Sequence, residues 1–164
     1  MLDNITFICF TEMNLEEKKL VLSWRNHRNI KKWMYDKKDI SLQNHLKFIN
    51  TLKDNNSKKY MLVKNDDLYV GVIDFIDIDF IKKECEFGLY ANPNLKGLGS
   101  SLMQVIVYYA FNILKINLLK AEVFINNLKA INLYQRYGFK EINKKVINNQ
   151  EVICMELKNE NWKI

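Results

Sequence analysis

The sequence predicts one mixed α/β domain, and three observations carry that prediction. Short apolar runs rich in β-formers alternate with segments of helical spacing, in the order β, α, α, β, β, β, α, β, α, β, β. Two turn pairs, Asp66-Asp67 and Asn148-Asn149, each join neighbouring strand runs into a hairpin. The chain has 164 residues and 48% hydrophobic content, with no repeat, linker or low-complexity tract, which is the size and make-up of a single core over residues 1–164.

Taken in order, Ile5 to Phe10 has strand character. Met13 to Arg28 has helical spacing, with Leu15, Leu20 and Trp24 as buried-face candidates. Trp24 to Tyr35 mixes aromatic and basic residues, and Ser41 is an N-cap for the helix beginning LQNHLKFI. This front third reads as a helical lid. Lys58 to Asn65 and Leu68 to Ile78 form the first hairpin, and within VIDFIDI the alternation puts Asp74 on one face of the sheet, at a cavity edge or toward water.

The strand Cys85 to Ala91 is stopped by Pro93, which removes a ladder donor. Asn94 to Gly99 then supplies two glycines, and the apolar run beginning at Leu102 lets a helix start there, burying Leu102, Ile106, Tyr109 and Ile113. Free N–H groups at that helix start, the positive end of its dipole and Lys96 make a seat for a phosphate. A bend with two glycines is also compatible with an ordinary turn. Leu118 to Ile125 is a strand with Lys120, Glu122 and Phe124 on one face; Glu122 is by default an edge residue or half of a salt bridge. A short helix runs to Gly138, a strong C′ signal, and the second hairpin closes the chain.

The net charge is +6, but the lysine pairs are scattered and lack the interleaved aromatics of an RNA-binding sheet, so no nucleic-acid partner is expected. Cys9, Cys85 and Cys154 are odd in number without C-x-x-C spacing and read as small buried hydrophobes; with only His27 and His45 beside them, no metal is expected. No basic-plus-apolar leader opens the sequence and no apolar run reaches membrane-spanning length, so a cytoplasmic protein with no membrane partner is expected.

Phe87 to Met103 (FGLYANPNLKGLGSSLM) and Val123 to Phe139 (VFINNLKAINLYQRYGF) together resemble the GCN5-related N-acetyltransferases. The first is similar to that family's acetyl-CoA pyrophosphate loop, with Asn94 where Gln or Arg is usual; the second to its later strand and helix. The resemblance implies a mostly antiparallel mixed sheet flanked by helices, with one splayed parallel pair, Cys85–Ala91 and Leu118–Ile125, admitting the pantetheine arm. It implies acetyl-CoA as cosubstrate, contacted by Leu89, Tyr90, Asn94, Lys96, Gly97, Leu98, Gly99, Ser100, Asn127, Ala130 and Tyr134. It also implies direct attack of an amine, with the Leu89 backbone N–H as oxyanion donor, Glu122 as base, His45 as second choice, and Tyr134 as acid.

Within the family, WRNH, WMY, HLKFI, GVIDF and EFGLYANPNLKG are most similar to enzymes of pseudaminic acid biosynthesis, which serves flagellin glycosylation. Those enzymes acetylate the 4-amino group of a UDP-linked 4-amino-4,6-dideoxy-N-acetyl-altrosamine. That likeness implies a nucleotide-sugar acceptor held by Arg25, Met34, Tyr35, His45, Phe48, Asp74 and Tyr90. Two alternatives stay open, an acetyltransferase of a protein N-terminal amine and a non-catalytic acyl-CoA or nucleotide sensor. No oligomeric state follows from the sequence.

Overall fold

The computed structural model describes residues 4–162. Its centre is a seven-stranded sheet of β1 (Ile5–Cys9), β2 (Lys59–Asn65), β3 (Leu68–Asp79), β4 (Glu84–Ala91), β5 (Leu118–Phe124), β6 (Lys140–Ile147) and β7 (Gln150–Lys158). The strand order is β1-β2-β3-β4-β5-β7-β6, and every neighbouring pair is antiparallel except β4 with β5. Both expected hairpins form. Asp66, Asn148 and Asn149 take the positive φ those turns need (53°, 51° and 61°).

Alternation along the strands gives the sheet two faces. One carries Met61, Ile73, Phe75, Phe87, Leu119, Val123 and Met155, covered by α4 (Gly99–Tyr108) and α5 (Leu128–Arg136). Four α4 side chains, Leu102, Met103, Ile106 and Val107, are wholly buried there. Each such burial stabilises by about 1.5–3 kcal/mol. Ile113 does not join them and is 53% exposed, because Tyr109–Ile113 continues α4 as one π turn and the wider turn rotates the face. Tyr109 stays inside, stacked on Phe75 at 5.5 Å.

The other face carries Leu62, Val72, Tyr60 and Tyr90 beneath α1 (Leu15–Arg25), α2 (Arg28–Lys31) and α3 (Leu42–Thr51). Asn14 and Glu17 form a capping box that starts α1, Glu17 N donating to Asn14 Oδ1 (2.8 Å) and Asn14 N to Glu17 Oε2 (3.0 Å). The helix expected to reach Arg28 ends at Arg25. Asn26 leaves it to exchange hydrogen bonds with the Ile40 backbone (2.8 and 2.9 Å), and the His27 ring caps the next turn by accepting from Asn29 N. Ser41 caps α3 as read from the sequence, accepting from Asn44 N at 3.1 Å. Among the described residues no helix is long and apolar enough to cross a membrane, and no cluster of three metal-ligating side chains occurs.

Candidate active site

The parallel strands β4 and β5 pair only at Glu84↔Leu118, Cys85↔Leu119 and Glu86↔Lys120. Beyond Glu86 they part, leaving a gap between residues 87–91 and 121–124. Asn92 N donates to the Val70 carbonyl at 2.9 Å, which fixes the phase of the β3/β4 ladder. Positions 90, 88 and 86 therefore exchange bonds with β3. Position 89 lies between them, so the Leu89 N–H turns away from β3 into the gap.

At the mouth of the gap the chain bends through Pro93 to Leu98, with Gly97 at φ +77°, and α4 begins at Gly99, three residues before the expected start at Leu102. No side chain among the described residues caps this helix. Among the described residues the amides of residues 96–101 donate to no carbonyl or side chain, so a row of N–H groups at the positive end of a buried helix is free for an anion. That arrangement fits a pyrophosphate. Lys96 and Asn94 are exposed beside it. Ser100 already meets Tyr137, with 3.0 Å between the hydroxyls and 2.6 Å from the Tyr137 hydroxyl to the Ser100 carbonyl; Tyr137 in turn stacks on Trp162.

Helix α5 lines the same mouth. Asn127 caps it by accepting from Ala130 N at 3.3 Å, which leaves the Asn127 amide group as its free end, and Gly138 ends it at φ +90°. The Tyr134 ring is buried against Phe87 (5.3 Å) and Phe139 (5.8 Å), while its hydroxyl makes no hydrogen bond among the described residues. Burial, with a smaller contribution from the charge of Asp74, holds that phenol well above its usual pKa. It therefore stays protonated, a hydrogen-bond donor more than a strong acid.

On the lid side one row of the sheet runs Tyr60, Asp74, Gly88, the gap, Glu122 and Cys154. Glu122 has both oxygens engaged: Oε2 accepts from the Tyr35 hydroxyl and Oε1 from Lys145 Nζ on the edge strand β6. The sequence default of a salt-bridge partner is thus what the structure places there. Desolvation, then the bond to Glu122, raises the Tyr35 pKa and keeps it the donor. The segment around Tyr35 straps across to the last hairpin, with Lys37 Nζ 2.8 Å from Gln150 Oε1 and 5.1 Å above the Phe124 ring. Arg25 donates from Nη2 to the Asp36 carbonyl (2.8 Å), and its Nη1 is buried with no partner among the described residues. Desolvation by burial lowers its pKa, against the opposing charges of the Asp36 and Asp39 carboxylates.

Met34 packs in the lid core, and Phe48 sets its edge on Tyr60 at 5.0 Å. His45 is not at the site. It is 4% exposed, packed edge-on to Phe10, with Nε2 3.0 Å from the Lys18 carbonyl, and so joins α3 to α1. Burial lowers its pKa. Cys9 and Cys154 are half-exposed, against the expectation of buried thiols. Cys154 lines the cleft, but burial raises its pKa, as it does that of Cys85 to about 12, so neither is a ready thiolate nucleophile. Sequence reasoning missed Glu86, Tyr60, Gly88 and Lys145. Glu86 carried the signal used for Glu122, a carboxylate alternating with apolar residues; Lys145 carried none, sitting in a strand that is exposed nearly throughout.

The acetyltransferase (GNAT) domain family matches residues 8–140. The chain is 51% identical over 130 residues to the acetyltransferase PseH of Campylobacter jejuni, covering 79% of this chain and 81% of the relative. The crystal structure of Campylobacter jejuni PseH in complex with acetyl coenzyme A superposes with a TM-score of 0.79 at 41% identity, over 94% of this chain and 99% of that one. The spermidine N-acetyltransferase of Vibrio cholerae, solved with CoA and spermine, superposes with a TM-score of 0.85 at 22% identity over 96% of each chain, a likeness of fold.

Proposed function

Because this chain belongs to the GNAT family and is an acetyl-CoA-dependent N-acetyltransferase of the PseH type, acting in pseudaminic acid biosynthesis, we propose that its acceptor is a nucleotide sugar. The acceptor is the 4-amino group of a UDP-linked 4-amino-4,6-dideoxy-N-acetyl-altrosamine, and the product serves flagellin glycosylation in the cytoplasm. The observation that carries this reading is the 51% identity over 81% of the PseH relative, far more chain than the cofactor motifs alone occupy.

The acetyl donor lies in the β4/β5 gap with its pyrophosphate on the amides of residues 96–101 and its pantetheine beside Asn127 and Ala130. The Leu89 N–H faces the thioester carbonyl and stabilises the oxyanion that forms when the amine attacks. The Tyr134 hydroxyl faces the departing sulfur and donates a hydrogen bond to it. On the lid side, Arg25 offers its unpaired Nη1 to the pyrophosphate of the acceptor, while Tyr35, Tyr90 and Phe48 give aromatic surface to the uracil and sugar. Water is displaced by the strap from Tyr35 to Lys37.

Inhibition by free UDP tests the nucleotide half of this reading. UDP is expected to compete with the acceptor and not with acetyl-CoA, and Arg25→Ala to weaken that inhibition about tenfold or more, the loss of one charge-assisted contact. Absence of UDP inhibition at millimolar concentration contradicts a UDP-linked acceptor.

A further inference from the structure

We infer that Asp74 is the group that takes the proton from the acceptor amine, and that Gly88 is the residue that makes its place. The inference rests on the reading of this chain as an amine acetyltransferase and not on which amine it uses.

Asp74 and Gly88 are direct cross-strand partners on β3 and β4, facing the lid. A Cβ built on Gly88 would lie 2.5 Å from Asp74 Oδ2 and 3.0 Å from Oδ1. The carboxylate therefore fills the volume that any other residue at 88 would claim, leaning over β4 toward the gap. It does so one position before Leu89, whose N–H points into that gap. Asp74 makes no hydrogen bond and no ion pair among the described residues, whereas Glu122 across the gap is engaged by Tyr35 and Lys145.

The competing carboxylates are less well placed. Both oxygens of Glu122 already accept hydrogen bonds, from Tyr35 and Lys145. Glu86 stands at the closed end of the gap, where β4 and β5 are still paired through Glu86↔Lys120. The groups around Asp74 are Tyr60 on β2, Asp77 farther along β3, Glu86 and Tyr90 on β4, Glu122 on β5, Tyr134 on α5 and, behind Tyr90, Arg25 on α1. The three phenols have raised pKa values and stay neutral, so the nearest neighbours present no strong cation to Asp74. Burial accordingly pushes its carboxyl up to about 7, in the range suited to a general base at neutral pH.

In the step itself the ammonium gives one proton to an Asp74 oxygen, and the freed nitrogen lone pair forms the C–N bond as the carbonyl electrons move to oxygen. Collapse breaks the C–S bond. The second nitrogen proton ends on the departing sulfur, with Tyr134 as donor or relay, and Asp74 discharges its proton to solvent. Donor, amine and products balance as one amide, one thiol and one proton released.

The test is kcat as a function of pH at saturating acetyl-CoA, on whichever primary amine the wild type acetylates, with an amino-sugar nucleotide and spermidine both tried. Log kcat of the wild type is expected to rise with pH, bend near pH 7 and reach a plateau above it. Asp74→Asn should lower kcat about 10²- to 10⁴-fold and abolish the rising limb, while acetyl-CoA still raises the melting temperature. Glu122→Gln should keep the limb. Gly88→Ala, which displaces the carboxylate without removing it, should lower kcat and leave acetyl-CoA binding in place. An Asp74→Asn enzyme within about threefold of wild-type kcat with its limb intact, or loss of the limb in Glu122→Gln, overturns the assignment. A wild type that acetylates spermidine and not the nucleotide sugar refutes the acceptor reading and leaves this test standing.

Discussion

Asp74→Asn should make the protein more stable at alkaline pH while disabling it. The carboxyl rises on folding from 3.8 to about 7 through desolvation, so between those values the folded chain binds more protons than the unfolded chain. Each step up in pH across that window then favours unfolding. The penalty is absent below about pH 4 and complete above about pH 7. The full shift of about three units corresponds to roughly 4 kcal/mol, a ceiling, because the carboxylate keeps contact with water through the cleft. A realistic gain from Asn of about 1–2 kcal/mol raises the melting temperature by roughly 2–8 °C for a chain of this length. Melting curves of wild type and Asp74→Asn at pH 4 and pH 8 read it directly: the difference between them should be small at pH 4 and grow to its maximum at pH 8. A difference that does not change with pH, or a variant less stable than wild type at pH 8, refutes the reasoning that burial sets this carboxyl.

Acetyl-CoA at 100 times its dissociation constant should stabilise the wild type by about 2.7 kcal/mol, and Gly97→Val should abolish the shift, since φ +77° is closed to a β-branched residue and the phosphate loop must rearrange. Arg25→Ala should raise the acceptor KM by more than the acetyl-CoA KM in steady-state assays, because its unpaired Nη1 lies under the lid and away from the α4 amides. Tyr134→Phe keeps the packing on Phe87 and Phe139 and should lower kcat about 10²-fold with little change in melting temperature. Lys145→Met should destabilise the protein by about 1–3 kcal/mol, measured by denaturant unfolding at pH 7, since it removes a cation from a Glu122 whose side chain is only 17% exposed.

The strands, both hairpins and the α5 boundaries were legible because each rests on local chemistry. Alternation marks the strands, Asp66, Asn148 and Asn149 tolerate positive φ, and Gly138 ends a helix no other residue ends as easily. The start of α4 was misplaced because its first residues, Gly99 to Ser101, lack apolar periodicity; the helix is held there by packing, with Gly99 close to Leu133. The π turn at Tyr109–Ile113 has no sequence mark, as it follows from where Tyr109 must stack on Phe75. The parting of β4 and β5 was within reach of sequence, and the structure places Tyr134 and Tyr35 beside it, on Phe87 and Glu122. The partners of Glu122 were not within reach, since Tyr35 lies 87 positions away and Lys145 sits on an exposed edge. His45 read as polar lid chemistry, yet its ring bonds the Lys18 carbonyl inside a core; spacing alone does not distinguish a ligand-facing histidine from one that joins two helices.

The most direct test of the central claim is acetyl transfer measured by mass spectrometry of the acceptor, with acetyl-CoA and a panel of a UDP-linked 4-amino-4,6-dideoxy-N-acetyl-altrosamine, spermidine and a peptide with a free N-terminus. The nucleotide sugar should gain one acetyl group on its 4-amino nitrogen, with a kcat/KM at least about 10²-fold above that of the other two amines, the margin expected of a lid that recognises pyrophosphate and base. Acetylation of spermidine or the peptide with the nucleotide sugar left untouched would contradict it.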